Sequence, residues 1–190
     1  MPDESARIVV YDYVNPRRAE WPEADYIVGN PPFIGGWKMR EALGDGYVEA
    51  LWKANTLPEK ADFVMYWWDH AADLVAKGRC KRFGLITTNS ITQVFQQRVI
   101  EKYRDKVSVV YAIPDHPWID SSDGAAVRIS MTVGERGAVD GVLETVVNEE
   151  AGTDDEVVVT LSTKVGRIGP NLQIGADLTS VTALRSNSGL

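Results

Sequence analysis

The sequence predicts an α/β fold in which a mostly parallel sheet is flanked by helices. The first observation is an alternation along the chain. Short runs of β-branched and aliphatic residues are followed by segments with helical periodicity, which is the pattern of parallel strands joined by helices. The second is the composition, since 44% apolar and 25% charged residues in a chain of 190 are enough for one hydrophobic core and part of another.

The elements follow from their periodicity and from the residues that break it. The segment at 61–77 is amphipathic, with Phe63, Trp67 and Leu74 on one stripe. In chain order we predict strands at 7–11 and 24–28, helices at 39–43, 47–54 and 61–77, a strand at 82–88, a helix from Ser90 that continues at 96–106, and strands at 107–113 and 127–133.

Several classes of protein are excluded. The chain has no run of about 18 apolar residues that could span a membrane, and its start, Met-Pro-Asp-Glu-Ser, is unlike a signal peptide. The single cysteine, Cys80, can form neither an internal disulfide nor a multi-cysteine zinc site. We therefore expect a cytoplasmic protein with no metal site and no membrane partner.

The charge is unusual for a protein that binds DNA by itself. The net charge is −7, whereas a self-sufficient DNA-binding domain is usually basic. Much of the acid lies near the C-terminus, at Glu149, Glu150 and residues 154–156. The basic stretch at 77–82 is interpreted first as the end of a helix with a glycine stop, and phosphate contact is the alternative.

The most informative segment is Asn30-Pro31-Pro32-Phe33, which follows the apolar strand at 24–28. Two prolines remove two backbone donors and fix two φ angles, and the residue before a proline is held in an extended conformation. The segment is thus a rigid turn that presents one amide side chain, free carbonyls and an aromatic ring. This combination is suited to holding an amino group on a flat ring.

The groups of this turn also indicate a reaction. The amino nitrogen of a purine is a poor nucleophile because its lone pair is delocalised into the ring. If the Asn30 oxygen and the Pro31 carbonyl accept its two hydrogens, the lone pair can point at an electrophile, while Phe33 stacks on the base. This is positioning with hydrogen-bond polarisation, and a base in a duplex would have to be flipped out.

The segment resembles motif IV of the amino-methyltransferases that use S-adenosylmethionine. Four further motifs follow in the order found in the MmeI-like adenine-specific DNA methyltransferases, many of which are fused to a nuclease. They are Met39-Arg40-Glu41, Ala61-Asp62-Phe63-Val64 with Tyr66-Trp67, Ile86-Thr87-Thr88-Asn89-Ser90, and Asp123-Gly124-Ala125-Ala126-Val127-Arg128-Ile129-Ser130. The resemblance implies a partial Rossmann-like methyltransferase domain of a restriction-modification system.

The resemblance also implies the role of residues outside the turn. Asp12 and Tyr13 match the position of motif III, where a carboxylate accepts from the adenine of the cofactor; a polar end of a strand is the alternative. Trp118 lies where motif VIII approaches the flipped base, and Asn89 and Ser90 would shape its pocket. The alternatives are a packing role for Trp118 and helix N-caps for the other two. Since ligands bind beyond the carboxyl ends of parallel strands, Asp12, Asn30 and Asn89 should rim one cleft.

We expect the chain to be part of a longer polypeptide. No glycine-rich cofactor loop precedes Asp12, and residues 183–190 resemble the entrance to a target-recognition domain. Residues 1–135 would form the C-terminal half of the catalytic domain, and residues 136–190 a β-rich connector into a truncated target-recognition domain. The expected partners are double-stranded DNA with a flipped adenine and the rest of the parent polypeptide, and the isolated piece should be inactive.

Two other interpretations remain open. The same turn occurs in methyltransferases that act on RNA or on a protein glutamine, although the long insertion at 34–59 argues against them. A non-catalytic half-domain that binds DNA or a partner is the other, and the missing cofactor loop and the acidic charge favour it. The complete Asn-Pro-Pro-Phe turn argues against it.

Overall fold

A computed structural model describes residues 11–118, 127–152 and 157–175. They form a six-stranded sheet with helices packed on it, so the predicted α/β class with flanking helices is confirmed. None of these helices has the length and apolar content to cross a bilayer. The elements are β1 (Tyr26–Gly29), α1 (Met39–Leu43), α2 (Asp45–Ala54), α3 (Val64–Ala76), β2 (Arg82–Thr88), α4 (Val94–Glu101), β3 (Val107–Trp118), β4 (Val127–Arg136), β5 (Gly141–Ala151) and β6 (Val157–Gly166), with 3₁₀ turns at Gly36–Lys38 and Asn89–Thr92.

The sheet has the strand order β1-β2-β4-β3-β5-β6. The β1–β2 and β3–β5 pairs are parallel, whereas the β2–β4, β4–β3 and β5–β6 pairs are antiparallel. The expectation of a mostly parallel sheet is therefore wrong for the described strands. The reason is connectivity, because β4 is the next strand after β3 and folds back beside it, as β6 does beside β5.

Helix α3 lies between the sheet and the pair α1–α2. It contains no glycine or proline, and it ends before Gly78, whose φ of +71° provides the predicted glycine stop. On the sheet side, the Trp68 ring packs edge-on against Phe83 with centroids 5.1 Å apart, and its Nε1 donates to Thr132 Oγ1 at 3.2 Å. On the opposite side, α1 and α2 pack around Met39.

The edge strand β1 has an exposed outer face. The pairing places Ile27 level with Phe83 and Val28 level with Gly84, so Val28 points away from α3. Val28 is 85% exposed and Tyr26 is 62% exposed. Among the described strands, β1 therefore leaves both one edge and one apolar face open.

Most predicted elements are confirmed with shifted ends. The strand at 82–88 is β2 to the residue, whereas the strand predicted at 107–113 continues to Trp118 past two prolines. The β3–β4 register shifts between Ile113 and His116, which places Pro114 at a bulge, where a missing N–H disrupts no ladder bond. Residues 7–10 lie outside the described residues and Tyr11 is not in a strand, so a first strand there stays a prediction.

Gly134 provides a test of the core packing. A β-carbon at this position would lie 2.2 Å from Phe83 Cε1, so we expect Gly134→Ala to push Phe83 off Trp68 and to lower the free energy of unfolding by about 1–3 kcal/mol. The matched control is Gly84→Ala on the neighbouring strand, where the nearest atom would be Val133 Cγ2 at 3.7 Å. Urea unfolding of the 190-residue chain measures both. Equal stability of the two variants would contradict the packing.

Candidate active site

The Asn30-Pro31-Pro32-Phe33 turn follows β1 directly and lies at the surface. Asn30 and Pro32 are exposed, Phe33 is half-buried and Pro31 is buried. The turn closes through a bond from Ile34 N to Pro32 O at 3.1 Å. Within the described part of the chain, the Asn30 side chain and the Pro31 carbonyl have no hydrogen-bond partner. The Asn30 amide is therefore free to bind a ligand.

The far end of the turn is held by residues that precede α3. Phe63 N donates to Ile34 O at 2.8 Å, and Gly36 N donates to Asp62 Oδ1 at 2.9 Å. A β-carbon at Gly36 would lie 2.6 Å from Lys60 O, so only glycine fits there. The sequence placed Asp62 within a family motif without giving it a role. No local signal in the sequence points to a role for it, because its partners Gly36 and Ser90 are 26 and 28 residues away.

Asn89 and Ser90 lie in the 3₁₀ turn that follows β2. Asn89 Nδ2 donates to Asp115 Oδ1 at 3.1 Å, and Ser90 Oγ donates to Asp62 Oδ2 at 2.5 Å. The helix-cap alternative is wrong for both, because both lie inside the 3₁₀ turn and the N-cap of α4 is Gln93. Their side chains connect elements across the edge of the sheet instead.

The carboxyl ends of β1, β2 and β3 lie at the same end of the sheet. β1 is parallel to β2, and β4 is antiparallel to both β2 and β3, so all three strands run in the same direction. The bond between Asn89 and Asp115 joins the ends of β2 and β3 directly. Trp118, the last residue of β3, is half-buried and pairs with Val127. The structure thus places Asn30, Asn89 and Trp118 at the same end of the sheet.

Asp12 and Tyr13 lie beside the start of α2. The Tyr13 ring meets Tyr47 edge-on with centroids 5.8 Å apart, and it passes close to Gly46. Asp12 is exposed. No hydrogen bond or ring contact between described residues joins this pair to the Asn30 turn. That all these groups rim one cleft therefore stays a prediction.

Tyr13 forms part of the wall of an aromatic cavity between the N-terminal segment, α2 and α3. The cavity has a volume of about 290 Å³, close to the lower end of the range for ligand sites. Trp21 stacks on His70 with centroids 4.2 Å apart and planes at 19°. Burial, with a smaller effect of Arg18, lowers the pKa of His70. The rings that line it are those of Tyr13, Trp21, Tyr47, Phe63, Tyr66, Trp67 and His70.

The guanidinium of Arg128 is held between two carboxylates at the β3 end. Its Nε donates to Asp115 Oδ1 at 2.6 Å and its Nη2 donates to Glu149 Oε1 at 2.8 Å. The hydrogen bonds to Glu149 and then to Asp115 raise the pKa of Arg128, and the same contact lowers the pKa of Glu149. Arg128 of β4 therefore connects β3 and β5 through Asp115 and Glu149, and its charge is already paired.

The basic stretch at 77–82 is also engaged in ion pairs. Its cations at 77, 81 and 82 pair with carboxylates at N–O distances between 2.7 and 3.0 Å. The carboxylate of Asp25 raises the pKa of Lys81. These contacts favour the interpretation as a helix end over a phosphate-binding patch.

A mixed α/β sheet with an exposed Asn-Pro-Pro-Phe turn after its edge strand is the arrangement expected of an amino-methyltransferase catalytic domain. The sequence profile of the MmeI DNA-methyltransferase domain matches residues 3–141. Because the match covers well over half of the chain, the chain belongs to this family. The resemblance inferred from its motifs is confirmed.

Two relatives extend this result. "DNA methyltransferase A" of Bacillus subtilis (strain 168) is 24% identical over 174 residues, which is 86% of this chain and 18% of that protein. The Type IIL restriction-modification enzyme MmeI, solved in complex with DNA, superimposes with a TM-score of 0.57 at 22% identity over 80% of this chain and 20% of that chain. The superposition supports the fold, and the chain spans about a fifth of the length of these relatives.

The lowered pKa of His70 predicts how stability changes with pH. The unfolded chain takes up a proton at His70 near pH 6.5, the usual histidine value, whereas the folded chain does so only at lower pH. Stability from this group is therefore complete above the unfolded pKa and is lost as pH falls towards the folded pKa. We expect His70→Phe, which keeps a ring against Trp21, to lose less stability between pH 7.5 and pH 5.5 than wild type.

Urea unfolding midpoints at the two pH values measure this difference. A control is Val94→Ala at the start of α4, which shortens an exposed apolar side chain, changes no titratable group and should retain the pH dependence of wild type. An unchanged pH dependence in His70→Phe would show that His70 is not the group responsible.

Proposed function

We propose that this chain forms the base-binding half of an adenine-specific DNA methyltransferase that uses S-adenosylmethionine in a restriction-modification system. The observation that carries the proposal is the exposed Asn30 amide on a proline-stiffened turn at the carboxyl end of β1, in a chain of the MmeI DNA-methyltransferase domain family. The names of its relatives support the same class, since one is a DNA methyltransferase and another is a restriction-modification enzyme solved with DNA.

The turn acts on the amino group of the target base. The Asn30 oxygen and the Pro31 carbonyl accept its two hydrogens, so that the nitrogen lone pair is no longer committed to the ring and faces an electrophile. Phe33 stacks on the base and holds its plane. No general base of unusual strength is required, because the rate comes from positioning and hydrogen-bond polarisation. An adenine within a duplex is out of reach, so the base is flipped out.

The neighbouring strand ends form the sides of the base pocket. Asn89 follows β2, the strand beside β1, and lies four residues beyond the level of Gly29 in the register; its amide donates to Asp115 of β3. Ser90, in the Asn89–Thr92 turn, is held by its hydrogen bond to Asp62. Trp118 ends β3, which is separated from β1 by β2 and β4, and it lies six residues beyond the level of Gly29 in the strand register. It would therefore supply a second stacking face only for a base held well beyond the end of β1.

The described residues fit S-adenosylmethionine at its adenine end. The Tyr13 ring is 43% exposed at the wall of the aromatic cavity, and the exposed Asp12 carboxylate beside it offers an acceptor to an amino group. These two residues would hold the adenine, and the methionine end requires backbone from outside the described residues. When bound, the cofactor supplies an electrophilic methyl group. The chain itself presents the acceptor nitrogen and restrains it.

The proposed partners are double-stranded DNA with a flipped adenine and the rest of the parent polypeptide. The latter would comprise the cofactor-loop half, a target-recognition domain and, in nuclease-fused enzymes, the nuclease. The net charge of −7 and the ion pairs of the basic stretch leave most of the affinity for DNA to other parts. The open edge of β1, next to Asn30, would accept a strand of the cofactor half.

A substrate comparison separates this proposal from its alternatives. Transfer of a labelled methyl group from S-adenosylmethionine by the full-length enzyme is measured on duplex DNA, RNA and protein. Label in N6-methyladenine of DNA supports the proposal, whereas label in RNA or glutamine favours the related enzymes. Calorimetric titration with S-adenosylmethionine tests the non-catalytic half-domain, for which no binding is expected.

Removal of the Asn30 amide should stop the reaction and leave binding intact. We expect Asn30→Ala in the full-length enzyme to lower the rate of methyl transfer by at least about 10²–10³-fold, because one of the two acceptors on the target amino group is lost. Affinity for duplex DNA should change little, since Asn30 touches only the flipped base. Labelled methyl transfer and a DNA-binding titration provide the two readouts.

The matched control for this prediction is Asn148→Ala, which removes an exposed amide from β5 and should leave both readouts unchanged. Phe33→Trp should retain activity and Phe33→Ala should not, because only the first keeps a stacking ring. Wild-type turnover in Asn30→Ala would refute the role given to Asn30.

A further inference from the structure

We propose that Asp62 is a positioning residue that sets the distance between the Asn30 turn and the Asn89–Thr92 turn by binding both with one carboxylate. This inference rests on the proposed function, because it assigns Asp62 to the same site. Asp62 touches neither the base nor the cofactor. It acts through the backbone of one turn and a hydroxyl of the other.

The first link joins Asp62 to the segment that follows Asn30. Gly36 N donates to Asp62 Oδ1 at 2.9 Å. The backbone of Gly36 also lies so close to Lys60 and Ala61, the two residues before Asp62, that a β-carbon would not fit. The bond from Phe63 N to Ile34 O at 2.8 Å lies beside it. Two backbone groups of the segment are thus fixed to the start of α3.

The second link joins Asp62 to the end of β2. Ser90 Oγ donates to Asp62 Oδ2 at 2.5 Å, and Thr88 Oγ1 lies 2.5 Å from Ser90 Oγ. Because the one hydroxyl hydrogen of Ser90 goes to the carboxylate, Thr88 is the donor to Ser90. Asp62 N in turn donates to Gln96 Oε1 at 3.1 Å. The carboxylate therefore uses both oxygens, and its own backbone is restrained as well.

The two links close a ring of contacts around the candidate site. β1 and β2 pair as far as Gly29 and Leu85. Beyond that level, one arm of the ring is the turn from Asn30 to Gly36, and the other is the end of β2 with Ser90. Both arms end on the same carboxylate. The gap between the two turns is therefore fixed at both ends and not by strand pairing alone.

A local role as a helix cap does not account for these contacts. The N-cap residue of α3 is Phe63, and no side chain makes a cap bond there. Only the backbone carbonyl of Asp62 serves the helix, accepting from Met65 N at 2.9 Å. Both carboxylate oxygens bind groups outside α3, which is why the residue is assigned to the site and not to the helix.

The test is single-turnover methyl transfer to duplex DNA by the full-length enzyme, with KM for S-adenosylmethionine measured alongside. Asp62→Ala removes both links, so we expect the rate to fall about 100-fold while KM stays within about twofold, because a displacement of about 1 Å has an effect of that order. Asp62→Asn keeps an acceptor for Gly36 N, and its amide can donate to Ser90. Its rate should recover to within about tenfold of wild type.

The matched control is Asp105→Ala, which removes a highly exposed carboxylate after α4 and should leave the rate unchanged. Ser90→Ala breaks one link only and should give an intermediate rate. Each rate is expressed per folded molecule, with the folded fraction taken from thermal unfolding. A purely structural role would lower the melting temperature without lowering this rate.

The outcomes separate this inference from the proposed function. A wild-type rate per folded molecule in Asp62→Ala would overturn the role of Asp62 and leave the proposed function intact. Equal losses in Asp62→Ala and Asp62→Asn would overturn it as well, because the conservative variant should restore both contacts. A wild-type enzyme that transfers no methyl group to adenine in duplex DNA would overturn the proposed function and this inference together.

Discussion

The packing of Trp68 on Phe83 fixes α3 to the sheet, and the positions of both turns at the candidate site depend on it. The start of α3 holds the segment after Asn30, while β2, which carries Phe83, ends at the Asn89–Thr92 turn. The indole N–H of Trp68 is buried and bonded to Thr132, and an unsatisfied buried donor would cost about 1–3 kcal/mol. This bond restricts how the ring, and with it the helix, can lie.

An electrostatic contact holds the other side of the same helix. Asp69 is 1% exposed and accepts from Arg18 Nη2 at 2.6 Å, Lys102 Nζ at 2.7 Å and Tyr103 Oη at 2.8 Å. A buried carboxylate is tolerated only with such partners. Burial, and next the charge of Asp69, raises the pKa of Tyr103, so its hydroxyl stays a donor. Because Arg18 belongs to the segment that carries Tyr13, the cavity wall and the Asn30 turn are positioned by one helix.

What the sequence could predict follows the range of the interactions. The bounds of the strand at 82–88 are predicted correctly because a run rich in aromatic, aliphatic and β-branched residues is a local signal. The shape of the Asn30 turn is predictable because proline acts on its own backbone. The continuation of β3 past Pro114 is not predictable from the local sequence, because proline usually ends a strand. Only the pairing with β4 allows Pro114 to lie in a β-bulge within the strand. The antiparallel pairs were missed for the same reason. The role of Asp62 was missed because its partners are 26 and 28 residues away.

Among the described residues, the restraints on Asn30 all come from one side of the turn. β1 pairs with β2 on its inner edge, and the contacts after the turn lead to α3 and β2. No described strand pairs with the outer edge of β1, and the face that carries Val28 is exposed. The described residues therefore order the amide before any further strand pairs with β1. An acceptor group that is already ordered loses less conformational entropy when a base arrives. Burial of the exposed apolar face of β1 by a partner would be favourable. The outer side of β1, which does not restrain the Asn30 turn, is therefore the side suited to pair with a further strand.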